Sequence, residues 1–340
     1  MSVSTAAAPT TPTPQEQILG IVTHHWQGRA VAIAAELGLA DLLVGAPLHV
    51  DELAKRTNTH APSLFRVLRA LECTGIFVQV SPRVFANTPA SECLRRDLPG
   101  SQWAWVRTCL STDSIVFSSW TGLLETVHDG EPAFEQIHGC SPWQFLQSHP
   151  DKSAIFGEAM RSLSADITPA VTAAYDWGRF PVIADIAGGI GTQLVSILDA
   201  HPNSRGILFD QPHVVAEAIP HERIARVGGD LFVGVPPGAD AYLLRWIVHD
   251  WAEDRALLIL DNVRKAMKPT ARLILSESVI PDTPDFDMGK WMDVNMLVTL
   301  GGRERTAAEY RELYAKAGFE LEQVVPTRSP LSIIIGRPHA

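Results

Sequence analysis

The spacing of apolar residues divides the chain into two regions that meet near residue 175. In the first region apolar positions recur at the interval of an α-helix, and glycines such as Gly38 and Gly45 mark the end of the longest helical segment. Three helical patterns and then one half of a small hairpin lie at 21–43, 49–58, 61–77 and 84–89. Helix, helix, helix and hairpin is the order of a winged-helix domain.

The third helix of that order bears on whether the domain binds DNA. A DNA-binding domain of this kind places its third helix in the major groove, and Arg66 and Arg69 are the basic residues available for that contact. Large apolar residues dominate the same helix, including Phe65, Leu68 and Leu71. The composition therefore favours a helical packing or dimerisation module over a DNA-binding one.

The second region alternates between strands and helices. Short apolar runs, each ending in glycine or a polar residue, predict strands at 181–189, 205–210, 224–230, 241–248 and 271–278. Helical patterns separate these runs, and two late strands are predicted at 321–325 and 332–336. Strand–helix alternation indicates an α/β domain with a mainly parallel sheet covered on both faces. Such sheets bind ligands at the carboxyl ends of their strands.

Composition and charge exclude several classes of protein. With 340 residues, 46% hydrophobic and 19% charged, the chain is typical of a globular protein of about two domains. Its net charge of −10 argues against nucleic acid as a partner, because phosphate binding needs clustered basic residues. The four cysteines form no metal-binding spacing and indicate reduced cytosolic thiols. The N-terminus lacks the features of a signal peptide, and no apolar run is long enough to span a bilayer. We therefore expect a cytoplasmic protein with no membrane partner.

Glycines and acidic residues follow three successive strands. The first strand runs into the turn DIAGGIGTQL, whose glycines allow close approach of a ligand to the backbone, although Leu194 stands where a dinucleotide fingerprint needs its third glycine. Asp210 ends the second strand, where a carboxylate can accept ribose hydroxyls, and Asp230 ends the third, where it can accept from an adenine amine. Three strand ends of this kind in register predict a nucleoside-binding site.

Five blocks along the chain together resemble one family. They are DIAGGIGTQL, FDQPHVV, GGDLF, LRWIVHDW, and SES followed by GGRERT. In this order they are similar to the S-adenosylmethionine (SAM)-dependent small-molecule O-methyltransferases, both the plant caffeate and flavonoid type and the bacterial antibiotic-pathway type. The resemblance covers about residues 15–338. It implies a Rossmann-like class I methyltransferase sheet, parallel with an antiparallel edge strand, and a helical winged-helix-like N-terminal dimerisation domain.

The resemblance also implies a division of the chain and an assembly. The expected segments are a disordered tail at 1–14, a winged-helix-like dimerisation domain at 15–100, a helical linker and cofactor lid at 101–175, and a SAM-binding catalytic domain at 176–340. Members of the family are generally homodimers whose N-terminal helices interlock, and the apolar segment 17–45 is consistent with that.

The family's general base corresponds to His249. Methyl transfer from SAM requires alignment of the two reactants and removal of a proton from the acceptor, for which an imidazole of ordinary pKa near neutrality is suited. The family places two glutamates around this histidine, and the matching positions are Glu277 and Glu304. Thr306 and Glu309 form a predicted capping box, which leaves Glu304 available for the histidine. Asp250 is expected to be a cap or pocket-rim residue without a catalytic role.

The cofactor ligands are carried over in the same way. The resemblance assigns SAM contacts to the glycine-rich turn, to the acidic strand ends and to the predicted lid helix. The candidates are Asp185, Ala187, Gly189, Asp210, Asp230, Leu231, Arg245 and Ser164. Arg245 stands where plant members have lysine, and Ala187 replaces the usual first glycine, so the turn is expected to tolerate a methyl group.

Bulky side chains are expected to wall a pocket for a flat aromatic acceptor. The candidates are Phe156, Met160, Trp246, Met292, Asn295 and Met296. Phe156, Met160 and Ser164 fit equally well as the core face of a helix. Asp293 and Asn295 could suggest a metal site, but residues two apart do not share a helix face and no nearby acid completes a ligand set. We expect no metal.

Three functions remain open on the sequence. The first is O-methylation of a small aromatic secondary metabolite, with SAM as methyl donor and S-adenosyl-L-homocysteine as product. The second uses the same fold and SAM as an N- or C-methyltransferase, or as a hydroxylase or decarboxylase that retains SAM. The third is a SAM-sensing winged-helix regulator. The HDW motif around His249 favours the first function, and the acidic charge disfavours the third.

Overall fold

A computed structural model describes residues 12–339, and the chain divides into two compact units, Met1–Ser114 and Ile115–Ala340. Most of the expected tail, residues 1–11, lies outside the described residues. The described end of that segment already belongs to a helix, because Thr13 caps it in a capping box with Glu16 and Pro14 is its first residue. Proline suits the first helical position, where its missing N–H has no partner to lose.

The first unit is mainly helical with a small sheet. Its elements are α1 (Pro14–Glu36), α2 (Leu39–Leu42), β1 (Leu48–His49), α3 (Val50–Thr57), α4 (Ala61–Glu72), β2 (Phe77–Ser81), β3 (Val84–Asn87), α5 (Pro89–Glu92) and α6 (Trp103–Leu110). The strands form an antiparallel sheet in the order β1-β3-β2, so the predicted hairpin is present. Leu64, Leu68 and Leu71 of α4 are buried in the core of this unit, which explains the apolar character of the third predicted helix.

The second unit begins with five helices and continues as an α/β sheet domain. The helices before the sheet are α7 (Ile115–Thr121), α8 (Leu123–Asp129), α9 (Ala133–His138), α10 (Pro142–Ser148) and α11 (Pro150–Ala173). The alternating part comprises β4 (Val182–Ile186), α12 (Thr192–Ala200), β5 (Arg205–Asp210), α13 (Pro212–Ala216), β6 (Ile224–Gly228), β7 (Ala241–Arg245), α14 (Glu253–Ala266), β8 (Arg272–Ile280), α15 (Met288–Thr299), β9 (Arg305–Thr306), α16 (Ala307–Lys316), β10 (Phe319–Pro326) and β11 (Leu331–Pro338). Two 3-10 turns lie at Trp177–Arg179 and Val248–Asp250.

The sheet of the second unit is mixed, as predicted. Its order is β10-β11-β8-β7-β4-β5-β6, with the short β9 paired to β8. Strands β4 to β8 are parallel to their neighbours, whereas β11 runs opposite to β8. The reversed strand lies one place in from the edge, and β10 occupies the edge itself. Strands β10 and β11 form a hairpin, and β11 is the strand of that hairpin that pairs with β8. For this reason the antiparallel strand lies inside the sheet and not at its edge.

Both faces of the sheet are buried. Along β7, Tyr242 and Leu244 pack into one core cluster, and Ala241 and Leu243 pack into the other. Near-continuous apolar strands of this kind are typical of parallel sheets covered by helices. The central strand β4 has β7 on one side and β5 on the other, so the carboxyl ends of β4, β5 and β7 meet where the strand order reverses. That edge is where the candidate site is assembled. In the described part of the chain, no helix is both long and apolar enough to cross a membrane.

Candidate active site

His249 lies in the 3-10 turn that follows β7, and Glu277 of β8 holds this turn in place. One oxygen of Glu277, Oε1, accepts hydrogen bonds from the backbone N–H groups of Ile247 (3.1 Å) and Val248 (3.0 Å). Trp246 enters the turn with a positive φ of 54° and donates its backbone N–H to Ser276 (3.1 Å). A non-glycine residue in this conformation is uncommon, and such strain is concentrated at functional sites.

The ring nitrogen Nδ1 of His249 faces two buried carboxylates. Glu304 Oε1 lies 2.7 Å from Nδ1, and Glu277 Oε2 lies 4.0 Å from the same atom. Both glutamate side chains are 0% exposed. A carboxylate hydrogen-bonded to Nδ1 favours the tautomer in which Nδ1 carries the proton, so Nε2 is left with a lone pair in the neutral ring. The structure thus brings the three predicted catalytic residues together.

The loop that carries Glu304 packs directly on the backbone of His249. A Cβ at Gly302 would collide with the carbonyl oxygen of His249, and that same oxygen accepts the backbone N–H of Arg303 (2.9 Å). Asp293 of α15 then fixes Glu304, because its Oδ1 accepts the Glu304 backbone N–H (2.9 Å). The sequence analysis missed Gly302 as a close-packing residue, although the GG pair before the motif was a signal. It considered Asp293 only as a metal ligand. The capping box of Thr306 and Glu309 is confirmed.

Asp250 contacts the other ring nitrogen of His249, which the sequence analysis did not anticipate. Its Oδ1 lies 3.2 Å from His249 Nε2, and its side chain is 15% exposed. Of the two expectations for Asp250, the one that it caps the next helix is wrong, since Ala252 occupies the N-cap position of α14, and a place on the pocket rim stays a prediction. The reason is that the 3-10 turn Val248–Asp250 folds the aspartate back over the ring of its neighbour.

The carboxylates dominate the electrostatics of this cluster. Burial by itself lowers the pKa of His249, but the negative charges of Asp250, Glu277 and Glu304 outweigh it and raise the pKa to about 10. Burial raises the pKa of Glu277 to about 7 despite the opposing effect of His249. Like charges in one buried site disfavour each other, while the imidazolium form of the histidine is stabilised. His249 is therefore a much stronger base than a solvent-exposed histidine.

The glycine-rich turn after β4 lies beside the carboxyl end of β5. Ala187, Gly189 and Gly191 all have positive φ, at 54°, 61° and 88°. The Ala187 methyl group is therefore accommodated in a left-handed conformation that favours glycine. Gly189 donates its backbone N–H to Asp210 Oδ2 (2.8 Å), which ties the turn to β5. The space over Gly189 is open, because no atom lies within 4 Å of the position a Cβ would take.

Asp185 supplies an unpaired acceptor beside this open turn. It is 1% exposed, and its Oδ2 has no hydrogen-bond partner. Burial raises the pKa of Asp185 to about 7, although the positive charge of Arg245 opposes that rise. Arg245 donates through Nη2 to Ser164 Oγ (3.0 Å) and through Nη1 to Thr168 Oγ1 (2.9 Å), which brings two predicted cofactor residues into contact. An orphaned carboxylate oxygen, an open turn and a half-buried guanidinium fit a ligand with both amino and carboxylate groups, such as the methionine part of SAM.

Asp230 and Leu231 form a turn just beyond β6. Asp230 Oδ1 accepts the backbone N–H of Phe232 (2.8 Å), and the Leu231 carbonyl accepts from the side chain of Asn262 on α14 (2.9 Å). Asn262 was missed by the sequence analysis, because nothing in a helical pattern indicates which loop a polar residue will reach. That Asp230 and Leu231 bind the cofactor stays a prediction.

Aromatic rings connect the predicted lid helix α11 to the HDW motif. Phe156 contacts Trp143 edge to face, with ring centroids 6.3 Å apart, and Trp143 lies 6.5 Å from Trp251. Met160 is half-buried one helical turn along from Phe156. Trp246 lies parallel to the ring of His249, with centroids 6.5 Å apart and 10° between the planes. Flat surfaces of this kind suit an aromatic ligand.

Helix α15 contributes Met292, Asn295 and Met296. Met296 is buried, and the other two side chains are half-buried. Asn295 Oδ1 accepts the indole N–H of Trp120 (2.9 Å), and its Nδ2 lies 3.7 Å from the sulfur of Met292. Trp120 therefore fixes which way the amide of Asn295 points, leaving Nδ2 as the group that can donate to a ligand. Trp120 was not among the predicted site residues.

A metal ion has to be considered at the histidine cluster. Ligand atoms of His249, Glu277 and Glu304 all lie within 4.8 Å of one another, so this set could hold a cation. The shortest of these contacts, between Nδ1 and Glu304, has the length of a charge-assisted hydrogen bond, which uses the atom a metal would need. That the protein works without a metal stays a prediction.

Comparison with protein families gives two matches. Residues 120–320 match the model of the O-methyltransferase domain, and residues 19–97 match that of the O-methyltransferase dimerisation domain. Among curated proteins, phenazine O-methyltransferase PhzM of Lysobacter antibioticus is 40% identical over 328 residues, covering 94% of this chain and 95% of that protein.

Solved structures agree with these matches. The crystal structure of LaPhzM has a TM-score of 0.89 at 40% identity and covers 96% of this chain and 100% of that one. NcsB1, an O-methyltransferase from neocarzinostatin biosynthesis solved with SAM and 2-hydroxy-5-methyl naphthoic acid, has a TM-score of 0.80 at 30% identity, with 92% and 96% of the two chains covered.

Proposed function

The chain belongs to the family of SAM-dependent O-methyltransferases that includes a phenazine O-methyltransferase and enzymes of antibiotic biosynthesis, and on that premise we propose that it methylates a hydroxyl group of a small planar aromatic molecule, with His249 as the general base. The observation that carries the proposal is the 2.7 Å contact between His249 Nδ1 and Glu304, which keeps the proton of the neutral ring on Nδ1 and makes Nε2 the proton acceptor once the substrate hydroxyl takes the place of Asp250. No metal takes part in the proposed reaction.

The proposed reaction needs one proton transfer. SAM supplies a methyl group on a sulfonium centre that is already activated for displacement. The chain's own contribution is to hold the acceptor in line with that methyl group and to take the hydroxyl proton on His249 Nε2. A phenol has a pKa of about 10. Because the surrounding carboxylates raise the pKa of His249 to about 10 as well, the proton passes between groups of nearly equal strength.

Glu277 and Glu304 are positioning residues in this proposal. Glu304 holds the ring through Nδ1, and Glu277 holds the turn that carries the ring. Both carboxylates also stabilise the imidazolium that forms when the proton is taken. The cofactor ligands are Asp185, Ala187 and Gly189 at the glycine-rich turn, Asp210 for the ribose, Asp230 with Leu231 for the adenine, and Arg245 with Ser164 for the carboxylate end.

The aromatic nature of the acceptor is proposed from Trp246 beside the base and from the other side chains predicted to wall the acceptor pocket. The parallel ring of Trp246, the half-buried Phe156 and Met160, and the thioethers of Met292 and Met296 provide flat or adaptable apolar surface. Asn295 offers a donor from the same helix as the two methionines. The names of the relatives support this choice, since one acts on a phenazine and another was solved with a naphthoic acid.

A pair of measurements on His249→Ala tests the function. We expect methyl transfer to a hydroxylated phenazine or naphthoate to fall by about 10²–10⁴-fold, which is the usual contribution of a general base. SAM binding by calorimetry should stay unchanged, because His249 itself is not among the proposed cofactor ligands and Arg245, which ends the same strand, is held by Ser164 and Thr168. Turnover at the wild-type rate would contradict the proposal. Acceptors in which an amine replaces the hydroxyl serve as the control for N-methylation, and methylation of those alone would favour the alternative class of methyltransferase.

We propose that the protein is a homodimer formed through its N-terminal unit. Residues 19–97 match a dimerisation domain, and α1 exposes large apolar side chains. These are Ile18, Leu19, Ile21, Val22 and Trp26. Light scattering after size-exclusion chromatography should give about twice the chain mass, and Trp26→Glu should shift the population towards the monomer.

A further inference from the structure

The proton that His249 accepts has to leave a buried cluster. His249 is 6% exposed, and the side chains of Glu277 and Glu304 are 0% exposed. Asp250 is the member of the cluster that reaches solvent, with 15% of its side chain exposed and Oδ1 at 3.2 Å from His249 Nε2. We propose that Asp250 is the exit for this proton, carrying it from Nε2 to water after each methyl transfer. The proposal rests on the proposed role of His249 as the base.

The glutamates on the Nδ1 side of His249 give the proton no route to solvent. Glu304 is hydrogen-bonded to Nδ1, and its backbone is held by Asp293. Glu277 uses Oε1 for two backbone N–H groups, and its Oε2 is buried without a hydrogen-bond partner. The Oε2 atom of Glu304 is buried in the same way. A proton moved to either glutamate would remain inside the protein, so these two residues can stabilise the imidazolium but cannot discharge it.

The two contacts of the ring differ in length, and that difference lets Asp250 exchange with a substrate. The Nδ1 contact with Glu304 is 2.7 Å, whereas the Nε2 contact with Asp250 is 3.2 Å. Charge-assisted hydrogen bonds of this type are normally about 2.7–2.9 Å long, so the Asp250 contact is the weaker one. An acceptor hydroxyl can take the place of Asp250 at Nε2 while Glu304 keeps the ring in position.

Each turnover then has three steps. First, the acceptor O–H gives its proton to Nε2 as the O–CH₃ bond forms and the S–CH₃ bond breaks. Second, Nε2 gives that proton to Asp250 Oδ1 once the methylated product no longer separates them, which regenerates the neutral ring. Third, the Asp250 carboxylic acid releases the proton to water. Burial raises the pKa of Asp250 to about 6, which is still below the pKa of about 10 of His249, so the second transfer is uphill and is completed by release of the proton to water.

The variant Asp250→Asn tests whether Asp250 carries the proton or only orients the acceptor, because asparagine keeps the size of the side chain and removes the basic oxygen. With enzyme in excess, SAM bound and the pH above 10, where the His249 ring is largely neutral in both proteins, we expect the first turnover on a hydroxylated phenazine to proceed within threefold of wild type. Steady-state turnover should fall at least tenfold and recover as the concentration of a small buffer base, such as 4-methylimidazole, is increased. Asp254→Asn, at an exposed carboxylate in the first turn of α14, is the matched control and should behave as wild type.

Two results would overturn the proposal. If Asp250→Asn slows the first turnover as much as the steady state and no buffer restores it, Asp250 orients the acceptor and does not carry the proton. If steady-state turnover is unchanged, the proton leaves by another route. Failure of the proposed function itself looks different, because His249→Ala would then retain wild-type turnover whatever Asp250→Asn does.

Discussion

Gly302 lies so close to His249 that a single methyl group at position 302 would collide with the histidine's carbonyl oxygen. This contact brings the loop that follows α15 against the turn that follows β7, and it places Glu304 at Nδ1 of the ring. The base and the residue that orients it therefore depend on the packing of two backbones, in addition to the chemistry of their side chains.

Substitution of Gly302 by alanine should uncouple Glu304 from His249. Forcing an extra methyl group into a closely packed contact costs about 1–3 kcal/mol, and the loop can relieve the collision only by moving Glu304 away. We expect Gly302→Ala to lower kcat at least tenfold and to lower Tm by several degrees, measured by turnover and by thermal unfolding. Gly234→Ala is the control, because the space around Gly234 is open. Equal behaviour of the two variants would show that the close approach is unimportant.

We expect Asp293 to contribute as a hydrogen-bond acceptor and not through its negative charge. Its Oδ1 accepts the backbone N–H of Glu304, and asparagine in its place retains an oxygen able to do so. We expect Asp293→Asn to keep most of the activity and Asp293→Ala to lose about tenfold, which corresponds to about 1.4 kcal/mol. The ratio of the two kcat values is the measurement. If asparagine is as harmful as alanine, the negative charge of Asp293 is what the site uses.

The activity should increase with pH over the alkaline range. The pKa of His249 is raised to about 10, so in the free enzyme at neutral pH most molecules carry an imidazolium that cannot accept a proton. We expect kcat/KM to rise with pH towards about 10, since this parameter reports on the free enzyme. Glu304→Gln removes one of the charges that raise this pKa, so its profile should shift to lower pH. A profile centred near 6.5 in both proteins would contradict the electrostatic account.

The same shift predicts a contribution to stability with a defined sign. The folded pKa of His249 is above its unfolded value of about 6.5. The stabilisation from this group is therefore fully present below about pH 6.5 and is lost as the pH rises through about 10. Denaturant unfolding of wild type and His249→Gln across this range should show the difference in the free energy of unfolding shrinking as the pH increases.

Chelation should leave the reaction unaffected. His249, Glu277 and Glu304 could hold a cation, but in the proposed function Nδ1 is engaged with Glu304 and no step uses a metal. We expect turnover after exhaustive treatment with EDTA to equal that of the untreated enzyme. Added Zn²⁺ should inhibit, because coordination of Nδ1 would remove the tautomer that the base needs. Loss of activity on chelation, with recovery on adding a divalent ion, would refute the metal-free mechanism.

Most of the fold and the strand-end residues could be predicted from the sequence. Alternation of apolar strands with helices determines the order of elements, and parallel strands bring residues such as Asp185, Asp210 and His249 to one edge of the sheet. The packing of Gly302 on His249 could not be predicted from this alternation, because the loop that carries Gly302 lies more than 50 residues along the chain from the turn that carries His249.

The residues that were missed share a physical reason. Asn262 reaches a carbonyl in a loop, Trp120 reaches an amide on α15, and Asp293 reaches a backbone N–H in the loop after its helix, so each contact joins two different elements of the fold. Periodicity reports which face of a helix is buried but not which polar group it will meet. Asp250 was interpreted as a cap or pocket-rim residue because it precedes a helix, whereas the 3-10 turn directs its side chain to the histidine.

The central claim is that His249 removes the proton of the acceptor hydroxyl, and the dependence of rate on acceptor acidity tests it most directly. Acidic phenols are already ionised at neutral pH and need no base, whereas weakly acidic phenols do. Single-turnover methyl transfer should be measured for wild type and His249→Ala with a series of hydroxylated aromatics of the same shape and decreasing pKa. The account predicts that the advantage of wild type is about 10²–10⁴-fold for a phenol of pKa near 10 and nearly disappears for one that is ionised at the assay pH. An advantage that stays constant across the series would contradict it.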